Sequence, residues 1–259
     1  MGQWEIFLSP YKQAVDELKV KLKGMRSQFG IVNANSPIEF VTGRVKPLAS
    51  IYDKTLEKGL AFEPSKQLGD ELGDIAGLRI MCQFVDDIST VTELIRQRKD
   101  MRVVEERDYI THNKPSGYRS YHMIVEYPVE TIQGKKVVLA EIQIRTLAMN
   151  FWASIEHSLN YKFKYNIPKD IRVRLKNAAE AASLLDQEMS EIKDEIIDAQ
   201  GMFRTRSSIV AEIIAKIQNV YFAGKAEDMG TIEKEFWELK DNGNYKQLED
   251  FSKKLDTLL

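Results

Sequence analysis

The chain has 259 residues, of which 43% are hydrophobic and 29% charged, a composition typical of a soluble globular protein that can bury a core. Its formal net charge of −2 argues against bulk electrostatic binding to nucleic acid or an anionic membrane, so affinity for phosphate must come from local clusters of cations. The single cysteine, Cys82, excludes an internal disulfide and fits a reducing compartment. Because we find neither a signal-peptide pattern nor an apolar run long enough for a membrane span, we expect a cytoplasmic protein with no membrane partner.

Apolar periodicity and capping residues predict alternating helices and strands over the first 165 residues. In chain order, the expected elements are a helix from Ser9-Pro10 to Gly30, a strand at 38–45, a helix opened by Pro47 and ending near Gly59, a loop to about Glu71, a buried strand around Ile80, a helix capped by Asp86-Asp87 and ending near Arg98, a strand at 103–110, a loop at 111–117, two strands joined by a turn near Gln133-Gly134, and a helix capped by Thr146. This order predicts an α+β fold in which a mixed β-sheet is flanked by helices.

Beyond Pro168, apolar residues recur at alternating steps of four and three, from Ile171 to Phe203. This spacing predicts a long helix with a narrow apolar seam, which can pair with a helix of its own domain or of another subunit. Residues 207–259 are expected to form two or three more helices, with a break at 241–244. We therefore predict a domain of residues 1–200 followed by a long C-terminal helical extension of residues 201–259.

Two stretches of the predicted sheet place polar side chains at every second position. Successive side chains of a strand point to opposite faces, so the polar side chains of each stretch are expected to share one face. The two predicted faces consist of Tyr118, Ser120 and His122, and of Glu141, Gln143 and Arg145. A carboxylate, an amide and a guanidinium side by side on one strand suggest a functional site.

Several common catalytic motifs are absent from the sequence. It contains neither of the glycine-rich phosphate-binding loops nor the Gly-x-Ser-x-Gly turn of serine hydrolases. The three histidines, His112, His122 and His157, are far apart, and none is followed by aspartate, which argues against a zinc site or a His-Asp metal hydrolase. The remaining candidates are carboxylates and cations.

Asp74 precedes a buried strand and Glu141 lies inside another. Mg²⁺ prefers a few carboxylate oxygens together with substrate phosphates and water, so two acids from adjacent strands would suit it. Structural interpretations stay open, with Asp74 as a turn residue or helix cap, Tyr118 as a packing residue and Arg145 as an ion-pair partner. Glu141 is harder to explain in this way, because a half-buried carboxylate needs a partner. The cations that can meet a phosphate-rich substrate are Arg44, Lys46, Lys54, Arg79, Lys114, Arg119 and Arg145.

At these residues the chain resembles the small alarmone synthetases, stand-alone relatives of the RelA/SpoT synthetase domain, and among them the RelQ-type branch. The resemblance runs from about Trp4 to Gln200. It is carried by the stretches Ser36–Lys46, Asp74–Arg79, Gly117–His122, Glu141–Thr146, Ala148–His157 and Tyr161-Lys162.

The resemblance implies a nucleotidyltransferase-like fold and a defined reaction, in which the β,γ-pyrophosphate of ATP moves to the 3′-hydroxyl of GDP or GTP, giving (p)ppGpp and AMP. It implies Mg²⁺ as cofactor. The roles it implies are Asp74 as Mg²⁺ ligand, Glu141 as second ligand or as the base for the 3′-hydroxyl, Arg44 and Arg79 around adenine, Lys46 and Lys54 at the ATP phosphates, Tyr118 stacked on guanine, and Lys114, His122, Arg107 and Gln143 at the acceptor nucleotide. If Glu141 is the base, desolvation is expected to raise its pKa.

The resemblance also implies a homotetramer that binds (p)ppGpp at an allosteric cleft between subunits. The matching positions are Lys19, Lys23, Phe40, Thr42 and Asn150. Single-stranded RNA is a further candidate partner. The extension beyond residue 200 departs from the family's usual length, and the missing His-Asp motif predicts synthesis of the alarmone without hydrolysis.

Two alternatives stay open. The first is another nucleotidyltransferase, a class that typically shows a Gly-Ser pair followed by Asp-x-Asp, and no Asp-x-Asp occurs in this sequence. The second is a non-catalytic RNA-binding or oligomerisation protein with a degenerate site, which the near-neutral charge disfavours. The sequence does not choose between GDP and GTP as acceptor.

Overall fold

The structure, a computed structural model, describes residues 2–31, 35–163, 167–223 and 229–257. The side chains of Tyr161, Lys162 and Phe203, which belong to the motifs above, lie outside the described part. The elements in chain order are α1 (Gln3–Ile31), β1 (Phe40–Val45), α2 (Leu48–Lys58), α3 (Lys66–Glu71), β2 (Ala76–Cys82), α4 (Val85–Arg96), β3 (Arg102–Asp108), β4 (Tyr121–Thr131), β5 (Gly134–Thr146), α5 (Leu147–Lys162), α6 (Lys169–Ala223), α7 (Met229–Asn242) and α8 (Tyr245–Asp256).

Five strands of the described chain form one sheet in the order β1-β2-β5-β4-β3. Strands β2 and β5 are parallel, whereas β1-β2, β3-β4 and β4-β5 are antiparallel. The α+β fold with a mixed sheet flanked by helices is therefore confirmed. The parallel pair matters most for function, because it places Gly77 beside Glu141 and Arg79 beside Gln143.

Helix α1 packs one apolar face on the sheet, where Leu18 and Leu22 are fully buried. It begins at Gln3, so the predicted start at Ser9-Pro10 is wrong. Trp4, Phe7 and Leu8 pack against the core, and this burial stabilises the turns before the proline, which lies inside the helix. Local capping residues gave a plausible start, but tertiary contacts extend the helix beyond it.

Two further boundaries differ from the expectation. Residues 66–71, predicted as loop, form the short helix α3, whose first turn is capped by the Ser65 hydroxyl accepting from the Leu68 N–H at 3.2 Å. Strand β4 begins at Tyr121, so Tyr118 and Ser120 lie in the segment that leads into it and not within a strand. Two predicted caps are confirmed, since Gly59 ends α2 in a left-handed conformation and the Thr146 hydroxyl accepts from the Met149 N–H. The cap predicted at Asp86-Asp87 is wrong in position, because α4 begins at Val85 after Phe84 and both aspartates lie in its first turn.

Asp100 connects α1 to the start of β3. Its carboxylate accepts hydrogen bonds from Lys21 on the helix at 2.9 Å and from Arg98 at 2.6 Å. Burial raises the pKa of Asp100, but the hydrogen bonds from the two cations outweigh this effect and lower it to about 2.

The chain divides into two compact units, residues 1–190 and residues 191–259. The second unit contains the C-terminal part of α6 together with α7 and α8, which bury a small apolar core including Ile213, Phe236 and Phe251. Helix α6 continues to Ala223, so the separate helix expected from residue 207 is part of it. The break predicted at 241–244 is confirmed, because Asn244 caps α8 there. The predicted domain boundary at residue 200 stays a prediction.

None of the helices within the described ranges is both long enough and apolar enough to cross a membrane.

Candidate active site

A cavity of about 400 Å³ opens over the junction of β1, β2 and β5, with α5 closing one side. Most of the residues predicted for catalysis and nucleotide binding meet here. Its lining consists of Thr42, Gly43, Arg44, Lys46, Ser50, Asp74, Gly77, Leu78, Arg79, Tyr118, Glu141, Gln143, Arg145, Ala153, Glu156 and His157.

The polar and apolar side chains of β5 alternate as predicted, and the polar ones form one wall of this cavity. Glu141, Gln143 and Arg145 line it, while Ile142 and Ile144 on the opposite face are fully buried in the core. The Gln143 amide nitrogen donates to Glu141 Oε2 at 2.7 Å, and its oxygen accepts from Arg145 Nη2 at 2.6 Å. Gln143 thus connects the acidic and the cationic ends of the wall.

His122 joins Glu141 to Tyr118. Its Nδ1 lies 2.9 Å from Glu141 Oε1, and its Nε2 lies 2.8 Å from the Tyr118 hydroxyl. That hydroxyl already accepts from Arg145 Nη2 at 2.6 Å, so its own proton can be donated to His122. With a proton on Nδ1 the ring donates to Glu141, and the bond at Nε2 can run in either direction because the Tyr118 hydroxyl both donates and accepts.

The segment before β4 is held by helix α6 as well as by a backbone hydrogen bond from the Tyr109 N–H to the Ser120 carbonyl at 3.0 Å. Gly117 has a φ of +88°, and a β-carbon there would lie 2.5 Å from Cβ of Ala179 on the helix. Arg119 donates to the Ala179 carbonyl at 3.3 Å, and Trp152 donates to the Leu175 carbonyl at 2.8 Å. This support brings Tyr118 into the cavity although it is not in a strand.

Asp74 lies at the cavity end of the loop that precedes β2. Its Oδ2 accepts from Lys46 at 2.6 Å and from Lys54 at 2.5 Å. Burial raises the pKa of Asp74, but the charges and hydrogen bonds of the two lysines outweigh it and hold the pKa below its usual value. Its Oδ1 is buried and has no hydrogen-bond partner among the described residues. Such an oxygen is costly to bury unless it coordinates or accepts from a ligand.

The direction of the Glu141 pKa differs from the expectation. Burial and the nearby Asp74 charge raise it, but the hydrogen bond and charge of His122 outweigh them, so the net shift is downward. Desolvation was the only effect considered in the sequence-based prediction of a raised pKa. Glu141 is therefore held as a carboxylate, which suits a ligand for a cation and a proton acceptor that is ionised before substrate binds.

The cavity is also lined by three guanidinium groups from three strands, Arg44, Arg79 and Arg145. The pKa of Arg79 is lowered by burial and by the charges of Arg145 and Arg44. Like charges held this close in a half-enclosed cavity favour a polyanionic ligand. Arg79 Nε also donates to Gln143 Oε1 at 3.2 Å, which orients it along the cavity wall.

The remaining predicted residues do not line the cavity in the described chain. Lys114 lies over the rings of Tyr109 and Tyr118, 4.6 and 5.2 Å from their centroids, which keeps it next to the site. Arg107 is exposed on β3 and pairs with Glu105 at 2.6 Å. Lys54 and His122 lie behind Asp74 and Glu141, which they contact directly.

The positions predicted for an allosteric ligand do not converge on this cavity. Thr42 lines it, whereas Lys19 lies against Gly43 from the helix side and Phe40 is 40% exposed. Lys23 is exposed, and the Asn150 side-chain oxygen is buried without a hydrogen-bond partner in the part of the chain that the structure describes.

Sequence reasoning missed several lining residues. Ala153, Glu156 and His157 follow the helical spacing i, i+3, i+4 on α5, and this spacing could have placed them on one face toward the sheet. Ser50 on α2 carried no comparable signal. Arg145 was a candidate cation but had no assigned role, and its burial shows that it anchors the network.

A metal ion can be held here by two protein carboxylates. Among the described residues, no group of three or more His, Cys, Asp and Glu side chains is arranged as a metal site. Asp74 Oδ1 and the Glu141 carboxylate fit a hard cation that takes its remaining ligands from phosphate and water, the coordination typical of Mg²⁺.

The chain resembles known proteins over most of its length. A profile described as a region found in RelA / SpoT proteins matches residues 43–166. The chain is 60% identical to the GTP pyrophosphokinase YjbM of Bacillus subtilis (strain 168) over 201 residues, which cover 78% of this chain and 93% of the relative. Among solved structures, the small alarmone synthetase 1 from Bacillus subtilis bound to its product pppGpp has a TM-score of 0.71 at 60% identity, covering 75% of this chain and 98% of that chain.

A second solved structure, the same Bacillus subtilis synthetase bound to AMPCPP, has a TM-score of 0.66 at 56% identity and covers 76% of this chain and 98% of that chain. The relatives are thus matched over almost their whole length at high identity. From the profile, the relatives and the fold together, the chain belongs to the small alarmone synthetases, GTP pyrophosphokinases that share the RelA/SpoT region.

Proposed function

We propose that this chain is a (p)ppGpp synthetase that transfers the β,γ-pyrophosphate of ATP to the 3′-hydroxyl of GDP or GTP and releases AMP. The observation that carries this proposal is one cavity lined both by Asp74 and Glu141 and by a group of arginines. Pyrophosphoryl transfer needs in-line positioning and charge neutralisation more than covalent catalysis, and this arrangement supplies both.

The donor nucleotide is assigned to the β1-β2 side of the cavity. Arg44 and Arg79 lie on neighbouring strands there, with Arg44 opposite Gly77 in the β1-β2 register, and their planar guanidinium groups can stack on adenine. Lys46, whose ammonium lies 2.6 Å from Asp74, is positioned to neutralise the donor phosphates near the acid.

The acceptor nucleotide is assigned to the β4-β5 side. Tyr118 presents its ring to the cavity as a surface on which guanine can stack, and Lys114 beside it can meet the acceptor's 5′-phosphates. With this placement, the 3′-hydroxyl of the acceptor points toward Glu141, which lies between the two halves of the cavity.

Mg²⁺ is the cofactor that the donor set fits. Asp74 Oδ1 and Glu141 would hold it, and when bound it would neutralise charge on the transferred phosphates and polarise the reacting phosphorus. The protein's own contribution is to keep both acids ionised. Lys46 and Lys54 do so for Asp74, and His122 does so for Glu141.

Glu141 is the group assigned to the acceptor hydroxyl. Its lowered pKa makes it a weak base in the free protein, but it is ionised and oriented by His122 before the acceptor arrives. As the 3′-oxygen attacks phosphorus, the hydroxyl proton becomes acidic and can pass to the Glu141 carboxylate. The AMP oxygen leaves on the opposite side, near Lys46 and the arginines.

The finer features of the family belong to the same proposal. We assign a cytoplasmic location, a homotetramer, and allosteric binding of (p)ppGpp between subunits through the positions Lys19, Lys23, Phe40, Thr42 and Asn150. The basic face of α1 supports the allosteric role, because Lys19 lies against Gly43, the glycine whose other side borders the cavity. Single-stranded RNA stays a candidate partner.

The test is product identification with Glu141→Gln as the informative variant. Purified protein incubated with ATP, GDP or GTP and Mg²⁺ should give AMP and a guanosine 3′-diphosphate in equal amounts, whereas ADP or no turnover would favour another activity. Glu141→Gln should lose synthesis by about 10²-fold or more while still binding a non-hydrolysable ATP analogue. Glu130→Gln, an exposed position at the far end of β4, is the matched control. Unchanged turnover of Glu141→Gln would refute the assigned role.

A further inference from the structure

The cavity contains a carboxylate that the proposed chemistry does not use. Among the described residues, three carboxylates line it, and Asp74 and Glu141 are accounted for by the metal and the acceptor hydroxyl. The third, Glu156, would repel polyphosphate if it faced the phosphates. A carboxylate suits a part of the substrate that carries hydrogen-bond donors, and in two nucleotides these belong to the sugars and the bases.

Glu156 lies on the side of the cavity assigned to the acceptor. It follows Ala153 by one turn of α5, and Ala153 is in the apolar cluster against which Tyr118 packs. Glu156 also borders a neighbouring cavity of about 490 Å³ that is lined by Pro115 and Ser116, residues of the loop leading to Tyr118. Glu156 is thus one helical turn from the cluster that supports Tyr118, the ring on which the acceptor base is proposed to stack.

The orientation of Glu156 is fixed from its own helix. The Asn160 amide donates to Glu156 Oε1 at 2.5 Å, which restrains the carboxylate and leaves its second oxygen for a ligand. A carboxylate only accepts hydrogen bonds. Guanine presents two adjacent donors, N1–H and the N2 amino group, whereas adenine presents an acceptor at N1. The geometry of a restrained carboxylate beside a stacking ring matches guanine and opposes adenine.

We propose that Glu156 determines the base specificity of the acceptor site by accepting hydrogen bonds from N1–H and N2–H of guanine stacked on Tyr118. This inference rests on the proposed function and names the residue that separates the acceptor from the donor nucleotide. Because binding sites that hydrogen-bond a substrate group discriminate strongly against analogues lacking it, one acidic side chain can carry this selection.

Acceptor analogues give a direct test. At saturating ATP and Mg²⁺, kcat/KM is measured for GDP, for inosine 5′-diphosphate, which lacks the N2 amino group, and for xanthosine 5′-diphosphate, which has a carbonyl oxygen in its place. The wild type should prefer GDP over the inosine nucleotide by about 10- to 100-fold, the range for one hydrogen bond to a charged group. It should reject the xanthosine nucleotide more strongly, because two acceptors would then face each other.

Glu156→Gln should change this order without changing the donor site. The amide can accept from N1–H and donate to the C2 carbonyl of xanthine, so the ratio of xanthosine to guanosine nucleotide should rise by at least tenfold. The KM for ATP should stay the same. Glu188→Gln, an exposed position on α6, is the charge-matched control and should keep the wild-type order.

Two results would overturn the proposal. The first is a wild type that uses the three acceptors equally well, a measurement that needs no variant and so does not depend on whether Glu156→Gln folds. The second is a folded Glu156→Gln variant with the wild-type order of acceptors. Failure of the proposed function would look different, since the wild type would then form no AMP with GDP at all.

Discussion

Replacing Arg145 with lysine tests whether the hydrogen-bond network around the site stabilises the fold. Arg145 is only 4% exposed, and its Nε donates to Ser120 Oγ at 3.1 Å. Its Nη2 donates to both the Tyr118 hydroxyl and Gln143 Oε1, each at 2.6 Å. Lysine keeps the charge but has one nitrogen on a flexible chain, so it cannot make the hydrogen bonds to Ser120, Tyr118 and Gln143 at the same time.

The size of the loss follows from the bonds that lysine cannot make. Three hydrogen bonds come from a charged donor, and each contributes about 1.5 kcal/mol or more to stability. If lysine keeps one of them, Arg145→Lys lowers the free energy of unfolding by about 3 kcal/mol. For a protein of this size that corresponds to a decrease of about 6–12 °C in melting temperature.

Urea unfolding followed by tryptophan fluorescence measures this loss. Trp4 and Trp152 lie in the unit of residues 1–190, so a Trp237→Phe background makes the signal specific to that unit. Arg102→Lys is the control, because the Arg102 side chain is 72% exposed and its ion pair should contribute less than about 1 kcal/mol. Equal losses of unfolding free energy in the two variants would show that the hydrogen bonds of the buried Arg145 guanidinium do not stabilise the fold.

Two further predictions concern stability and the acceptor loop. Because its folded-state pKa is depressed to about 2, Asp100 stabilises the fold above its unfolded pKa of 3.8, and this contribution is lost as the pH falls from about 4 to 2. Its side chain is 35% exposed, so Asp100→Asn should cost about 1 kcal/mol at pH 7, and urea unfolding should show the difference from wild type vanishing near pH 2. Gly117→Ala forces a side chain into a positive φ and against Ala179, which should cost about 2–4 kcal/mol and raise the KM for the acceptor but not for ATP. Gly134→Ala, with a φ of +99° but open space around it, should cost only about 1 kcal/mol, and a similar cost and KM for both variants would contradict the role of the helix contact.

The sequence predicted those parts of the fold that depend on local patterns. Alternation in β5 gave the face that carries Glu141 and Gln143, and the Thr146 cap gave the start of α5. It did not give the first turns of α1, because Trp4 stacks on Phe62 at a ring distance of 4.6 Å, a contact across 58 residues that no local pattern reveals. Tyr118 was assigned to the correct cavity for a reason that is only partly right, since it precedes β4 and its segment is also held by α6 through Arg119.

The sequence predicted many of the residues that line the cavity, but it did not predict the direction in which the pKa of Glu141 shifts. Burial of Glu141 could be expected from its strand, whereas the neighbour that decides its pKa could not. His122 is 19 residues away and lies opposite Gln143 in the β4-β5 register, which puts its ring within reach of Glu141. Only the register brings this hydrogen-bond donor next to Glu141, so the direction of the pKa shift had to come from the structure.

The three clustered arginines are proposed to bind phosphate, but their burial and mutual repulsion lower the stability of the ligand-free protein. Folding brings Arg44, Arg79 and Arg145 close together, and the lowered pKa of Arg79 records the burial and the repulsion that result. Neither effect favours the free fold, and Gln143, a neutral amide, can orient the guanidinium groups without cancelling their charge. A polyphosphate ligand removes the repulsion when it binds. The free protein thus already holds in place the cationic groups proposed to bind phosphate, and the repulsion among them is relieved only when the ligand binds.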